Sequence, residues 1–432
     1  MDGVWLVLML VFEVVGGCWL DKRLWGNLYT PYFFLSVPYL AVVLFTLLVA
    51  GRFGLVPFYY PSLLPWIAGL PLFLVASLVF YGLSRRIQPY PMRLQGKAMM
   101  AEVQSALRWK IGLACLIFAV LAVRLIVMLC DKDLPCPVGT ECFGALFASY
   151  GLWGHLSVIA MALMLFCVVC FENPLKDSQW LLADQNRWLW IAFLLLLLLA
   201  LVHQVKSWVI LPIVAGLLAR FISGRTFKWQ YLAWILLGGT AVFFLSYIVI
   251  YLAGDSMFSS PTFGGQLKEI FGLFVHYVTS GTLGLSLDMQ QGVMETTDPH
   301  YVLAPFYNVW HILTGQEVVS GYSHDFLNTG LNYTNVRTFF GTIFVYMGRT
   351  GLVWISLVFG LVCYLMFWLW KRYGGVVFLC IYGWIAVILC MGWFNLYTQL
   401  LTTWEVPFWI LVAGLVDRFL LKRVPFLARL RF

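Results

Sequence analysis

The sequence predicts an all-α polytopic membrane protein, and three observations carry that prediction. Of 432 residues, 62% are hydrophobic and only 11% charged, with a mean hydropathy of +0.88. Apolar runs close to the roughly 20 residues that a bilayer-spanning helix needs recur along the whole chain. Lys and Arg collect in short segments between alternate runs, as the positive-inside rule requires. A balance of this kind belongs to membrane proteins and not to soluble domains.

Eleven runs are expected as spans, near 4–20, 32–51, 62–83, 111–130, 150–171, 187–203, 207–222, 230–253, 338–370, 375–393 and 397–416. The ninth is long enough to begin outside the bilayer; the sixth and seventh are short. The first reads as a span and not a cleavable signal, because Asp2 stands where a basic region belongs and Glu13 interrupts the apolar run. An odd count places the termini on opposite sides, and the basic tail beyond Asp417 is placed inside. All but seven of the 27 Lys and Arg then fall on the inner face. The exceptions are Arg52, Arg124, Lys132, Lys206, Lys268, Arg337 and Arg349. The inner loop near 84–110 reads as an anchor on anionic lipid. The same orientation exposes a large outer loop at 254–335, between spans eight and nine.

The inner loops are too short for a nucleotide-binding domain. Neither a Walker A pattern nor a Gly-rich dinucleotide fingerprint is present. No nucleic-acid partner and no cofactor are expected. The six His residues lack H-x-x-x-H spacing, so no metal site is expected either. Asp131 and Asp133 form an Asp-x-Asp that chance readily supplies. Cys136 can form a disulfide with Cys142 on the oxidising side, with Cys130 as competitor. Cys167 and Cys170 read as packing.

The stretch around 251–351 gathers the chemistry. It holds Asp288, Glu295, His300 beside Asp298, and His324 beside Asp325; it ends at Arg337 and Arg349. Charges inside a membrane helix are functional suspects because their burial is costly. That reasoning singles out Arg124, Arg337 and Arg349. Lys206 and His203, between the short spans six and seven, sit where an outer-leaflet phosphate would lie, although a lysine there can also merely snorkel. Arg337 and Arg349 are twelve residues apart, about 18 Å and some 120° on a straight helix. They serve separate points of a groove, or the helix breaks at Gly348 or Gly351. Glu405 is the matching acidic suspect and is expected to pair with one of the arginines. Tyr301, Phe306, Tyr307, Trp310, Tyr322 and Tyr333 fit equally as sugar-stacking platforms or interfacial anchors.

Several short motifs resemble a known family. They are Leu24–Tyr39, the turn His203–Trp208, His276–Gly281 with Leu285–Asp288, and Asn335–Gly341 followed by Gly348–Gly351. Together they are similar to Wzy-type oligosaccharide repeat unit polymerases of O-antigen and capsule. The likeness covers about 20–370. Relatives often carry an acidic residue before the glycine where this chain has Met347, so an acidic role there is not available.

The resemblance implies a multi-pass protein of the bacterial inner membrane whose active site faces the periplasm. Its substrate would be an undecaprenyl-diphosphate-linked oligosaccharide, and a chain-length regulator protein would be a partner. A sugar diphosphate already carries its leaving group. The reaction then needs cations for the departing diphosphate and one base for the acceptor hydroxyl. Arg337, Arg349, Lys206 and Arg124 are the candidate cations, with His203 and Tyr333 as further substrate contacts. His300, His324, Asp288 and Glu295 are the candidate bases. An O-antigen ligase uses the same donor and is the near alternative. A lipid-linked glycan flippase is the alternative from another class, although the chain shows none of the paired halves common in such transporters.

Overall fold

The fold is that of a computed structural model, which describes residues 3–85, 92–131, 135–136, 141–148, 151–171, 183–203, 206–224, 240, 244, 262–292, 298–319 and 325–423. Its helices are α1 (Gly3–Trp25), α2 (Pro31–Val49), α3 (Leu64–Arg85), α4 (Met92–Cys130), α5 (Glu141–Ala148), α6 (Gly151–Cys170), α7 (Ala183–Val202) and α8 (Lys206–Ile222). There follow α9 (Phe263–Gln290), the single turn α10 (Pro299–Val302), α11 (Ala304–Thr314), α12 (Phe339–Tyr373), α13 (Gly375–Cys390) and α14 (Leu401–Arg423). A two-stranded antiparallel ribbon, β1 (Leu327–Asn328) and β2 (Tyr333–Thr334), precedes α12, with Leu327 opposite Thr334.

Among the described residues, eight helices are long and apolar enough to cross a membrane. The protein is thus an all-α protein with the helices of a multi-pass membrane protein. Seven of the eight coincide with expected spans, and two shorter apolar helices, Asn186–Val202 and Ser207–Ile222, occupy the sixth and seventh positions. The expected span at 230–253 lies outside the described residues. The eighth long helix, α9, was not foreseen: it lies inside the segment expected as an outer loop. With α9 counted, the odd number of crossings on which the orientation rested no longer follows.

The chain divides into two compact units. The first comprises 1–87, 227–365 and 388–401. In it α1 packs on α2 and α3, and α9 packs on α2. Thr30 caps α2 by accepting from the Phe33 N–H, with Pro31 at the first helical position, where its missing donor costs nothing. The core is aromatic. Tyr39 stacks on Trp66 at 3.4 Å between ring centroids, and Phe340 meets the Trp66 ring edge-on at 4.8 Å. The Trp66 indole N–H donates to Thr338 Oγ1 at 2.8 Å, so the buried ring keeps its polar handle satisfied. Asp21, fully buried, accepts from Ser77 at 2.5 Å and from the Tyr364 hydroxyl.

The second unit comprises 88–226, 366–387 and 402–432. Here α6 packs on α7 and α8, and α4 on α7. Gly216 lies against Val168 and Gly383 against Ala215 and Ala219, small residues that let helices approach closely. Lys110 and the Trp109 indole both donate to the Asp417 carboxylate, at 2.5 and 2.6 Å. Cys136 is joined to Cys142 in a disulfide, with Cα atoms 5.7 Å apart, so of these three cysteines Cys130 is the one left as a thiol.

Candidate functional site

α9 positions the first pair of candidate residues. Thr262 starts this helix by accepting from the Gly265 N–H at 3.2 Å. Three of its hydroxyls bond back to the helix's own carbonyls. Thr279 donates to the Val275 carbonyl, Ser280 to Tyr277 and Thr282 to Thr279. Gly281, Gly284 and Asp288 recur at intervals of three and four residues and therefore share one face. Gly281 lies against the Phe394 carbonyl and Gly284 against the Val336 carbonyl, where any Cβ would strike backbone oxygen. That close approach brings Arg337 onto Asp288, one turn beyond Gly284.

The pair is a two-pronged salt bridge. Arg337 Nε donates to Asp288 Oδ2 at 2.6 Å, and Nη2 donates to Oδ1 at 3.2 Å. Nη1 donates to the carbonyls of Asn335 and Asp325 at 3.1 and 3.2 Å. The side chains are only 3% and 2% exposed. Burial opposes the charged guanidinium, but the adjoining Asp288 carboxylate outweighs it and raises the Arg337 pKa above its ordinary value. Arg337 and Asp288, expected as a diphosphate-binding cation and a base, are thus committed to each other inside the protein. The reason is geometric: Gly284 seats the backbone next to Arg337 directly on α9.

His300 is placed differently. Asp298 opens the single turn α10, and its carboxylate accepts from both the backbone N–H and the ring Nδ1 of His300, at 3.1 and 2.9 Å. A carboxylate can only accept, so in the neutral ring the proton sits on Nδ1 and Nε2 carries the lone pair. The imidazole is half exposed and lies 4.5 Å from the Tyr307 ring. Asp298 is held by its own N–H, which donates to the Tyr346 carbonyl of α12 at 2.8 Å, while the Tyr301 and Tyr346 rings lie 4.6 Å apart.

Three residues beyond Tyr346 comes exposed Arg349, immediately after a break in α12 at Gly348. With φ 64° and ψ −166°, Gly348 occupies backbone space that is essentially restricted to glycine. The turn-by-turn geometry of a straight helix therefore does not apply to Arg337 and Arg349. Gly348→Ala is expected to destabilise the protein by about 1–3 kcal/mol. Thermal unfolding in detergent measures it, and an unchanged midpoint would show that the break is not required.

The other candidates have other surroundings. Tyr333 is exposed on β2 opposite Asn328. Arg124, in the second unit, donates from Nε and Nη2 to the carbonyls of Phe147 and Leu146 at 2.6 and 2.7 Å, and its guanidinium lies over the Trp153 ring. It thereby closes the C-terminus of α5, where unsatisfied carbonyls favour a cation. His203 is buried, stacks on Trp208 at 4.1 Å, and is pushed down to about 4 by burial. Burial thus works against a charged ring at this position. Glu405 pairs with His155 at 2.6 Å and accepts from Trp409, instead of meeting an arginine. Glu295, His324 and the side chain of Lys206 lie outside the described residues. No group of three or more metal-binding side chains occurs among the described residues.

A family model matches residues 54–423 of the 432. The chain belongs to DUF6337, a family of unknown function. A comparison with curated proteins finds no match. The matched DUF6337 region takes in Asp288, Asp298, His300, Arg337, Gly348 and Arg349. Within this family member, two partners escaped sequence reasoning. One is the α9–Arg337 ion pair, for which the Gly281, Gly284, Asp288 periodicity was the available signal. The other is the Tyr346 carbonyl that receives Asp298, a backbone contact that no residue type announces.

Proposed function

We propose that this chain is a polyprenyl-diphosphate-dependent glycosyltransferase that polymerises undecaprenyl-diphosphate-linked oligosaccharide repeat units, working on the periplasmic side of the bacterial inner membrane. The observation that carries the reading is the docking of the Asp298–His300 pair on α12 at Tyr346, three residues before exposed Arg349 at the Gly348 break. A titratable ring and an exposed arginine thereby come from one stretch of chain bonded to α12, which supports a base and a cation at one site. The motif resemblance to Wzy-type polymerases supports the same reading.

In this mechanism the acceptor hydroxyl oxygen attacks the anomeric carbon of the donor glycan. The bond between that carbon and the diphosphate oxygen breaks, and the electron pair leaves with the polyprenyl diphosphate. His300 Nε2 takes the acceptor proton, and Asp298 stabilises the imidazolium that forms. Arg349 stabilises the charge developing on the diphosphate. Exposed Tyr333 supplies a flat face for a sugar. A chain-length regulator is the expected protein partner.

Deletion of the gene in its own host tests the reading. A polymerase loss leaves single repeat units on the lipid core, whereas a ligase loss leaves none. An unchanged glycan profile overturns both. In proteoliposomes fed with the host's own lipid-linked repeat units, Arg349→Ala is expected to lower polymer formation about a hundredfold. Arg349→Lys should restore only part, because the planar fork is lost. Full activity in the alanine variant removes Arg349 from the diphosphate site.

A further inference from the structure

The segment after His300 carries a second feature that the proposed chemistry does not use. In α11, Phe306, Val309, Trp310 and Leu313 are all strongly exposed, Trp310 at 61% and Leu313 at 76%. At 100° per residue these four fall within an arc of about 100°. Tyr307, Asn308 and His311 lie off that arc. Tyr307 faces the His300 ring, Asn308 is bonded both ways to the Val319 backbone at 2.7 and 2.9 Å, and His311 Nδ1 meets the Glu317 carbonyl at 2.6 Å. Ile312, 65% exposed, extends the apolar side by a further 60° beyond Val309. The helix is thus two-faced, with Tyr307, Asn308 and His311 turned to its own segment and its apolar side exposed.

We propose that α11 lies in the plane of the membrane surface, with the Phe306–Val309–Trp310–Leu313 face sunk into the headgroup–acyl boundary of the bilayer. Three observations select lipid as the occupant. No Asp, Glu, Lys or Arg occurs between Asp298 and Glu317, so nothing charged must be dragged from water. An apolar helix of this length is too short to span and suits an interfacial position, where Trp is favoured. Finally, the segment is pinned to a membrane helix. The Asp298 N–H donates to the carbonyl of Tyr346, in the second turn of α12, about 10 Å along the axis from Phe339. The uncovered face is therefore tied beside a helix that itself exposes Val353, Trp354 and Val358.

This inference does not depend on the glycosyltransferase reading, and its test does not use activity. The full chain, carrying p-benzoylphenylalanine at Trp310, Leu313 or Tyr307 in turn, is placed in nanodiscs of phosphatidylethanolamine and phosphatidylglycerol and irradiated. Lipid adducts, read by mass, are expected to be at least fivefold more abundant at 310 and 313 than at 307. Equal yields at the three positions, or adducts mainly within the protein or to a second copy, overturn the proposal. The unmodified chain gives an independent reading that no substitution can disturb. Hydroxyl-radical footprinting in the same nanodiscs should spare Phe306 and Trp310 although both are nearly as exposed in the protein as Tyr333; modification of Trp310 to the extent of Tyr333 overturns the proposal.

Discussion

Arg337→Ala is expected to remove the protein from the membrane and not merely its activity. The substitution leaves the Asp288 carboxylate buried without its two-pronged partner. Breaking one side of a buried pair costs about 3–5 kcal/mol, a large share of the 5–15 kcal/mol that holds a typical fold together. Accumulation should fall severely, and any surviving protein should unfold at a lower temperature. The double variant Asp288→Ala with Arg337→Ala should recover much of this loss, because no uncompensated charge is left. Arg337→Lys should recover little, since an ammonium cannot reproduce the donors that reach Asp288, Asn335 and Asp325. A single alanine variant that accumulates at the native level and unfolds at the native midpoint would show that the pair does not hold the fold. Loss of polymer in such a variant would return Arg337 to the role of substrate cation that its position in the sequence first suggested.

The second large effect is expected at His300. Its Nδ1 is occupied by Asp298 and its ring is half exposed, so substitution should leave folding intact. His300→Ala and His300→Gln are both expected to slow polymer formation by about 10²–10⁴-fold, the range for a lost general base. Glutamine is the informative change: it fills similar space and keeps a hydrogen bond to Asp298, yet it takes no proton. Asp298→Asn should give a smaller loss, because it weakens the orientation of the ring and leaves Nε2 in place. The readout is the glycan ladder at matched protein level. If His300→Gln polymerises normally, the acceptor proton leaves by another route, with water or the diphosphate itself as acceptor.

The contrast between Arg337 and His300 explains what the sequence could reveal. Most spans were legible because a bilayer imposes a length and an apolar composition on each helix, and α1, α2, α3, α6 and α13 obey both. The helix α9 was not legible. Lys268, Glu269, His276, Thr279, Thr282, Ser286 and Asp288 make it resemble a polar loop. Four of its polar groups instead find tertiary partners: Thr46 for Thr282, Thr329 for His276, the Tyr59 N–H for Ser286, and Arg337 for Asp288. Those partners are distant in the chain, so no local pattern encodes them. The His300–Asp298 contact was legible because it spans two residues. The break at Gly348 was anticipated as one of two glycine positions, and the backbone conformation selects it.

The satisfaction of α9 by such distant partners bears on how the membrane protein is assembled. α9 is the least apolar of the eight long helices. A segment passing through the translocon partitions into lipid on its own hydrophobicity, so α9 has the weakest drive of the eight to enter alone. For α9, the residues that compensate are Thr46 and Tyr59, made long before it, and Arg337, made after it. Its final placement is therefore a folding step and not a partitioning step: α2 supplies a prepared surface, and α9 stays incomplete until the polypeptide has been synthesised past Arg337. Biogenesis of this protein accordingly has a commitment point near the start of α12. A chain truncated just before that point would hold the Asp288 carboxylate without its counter-ion, and membrane quality control would meet it as an unfinished helix.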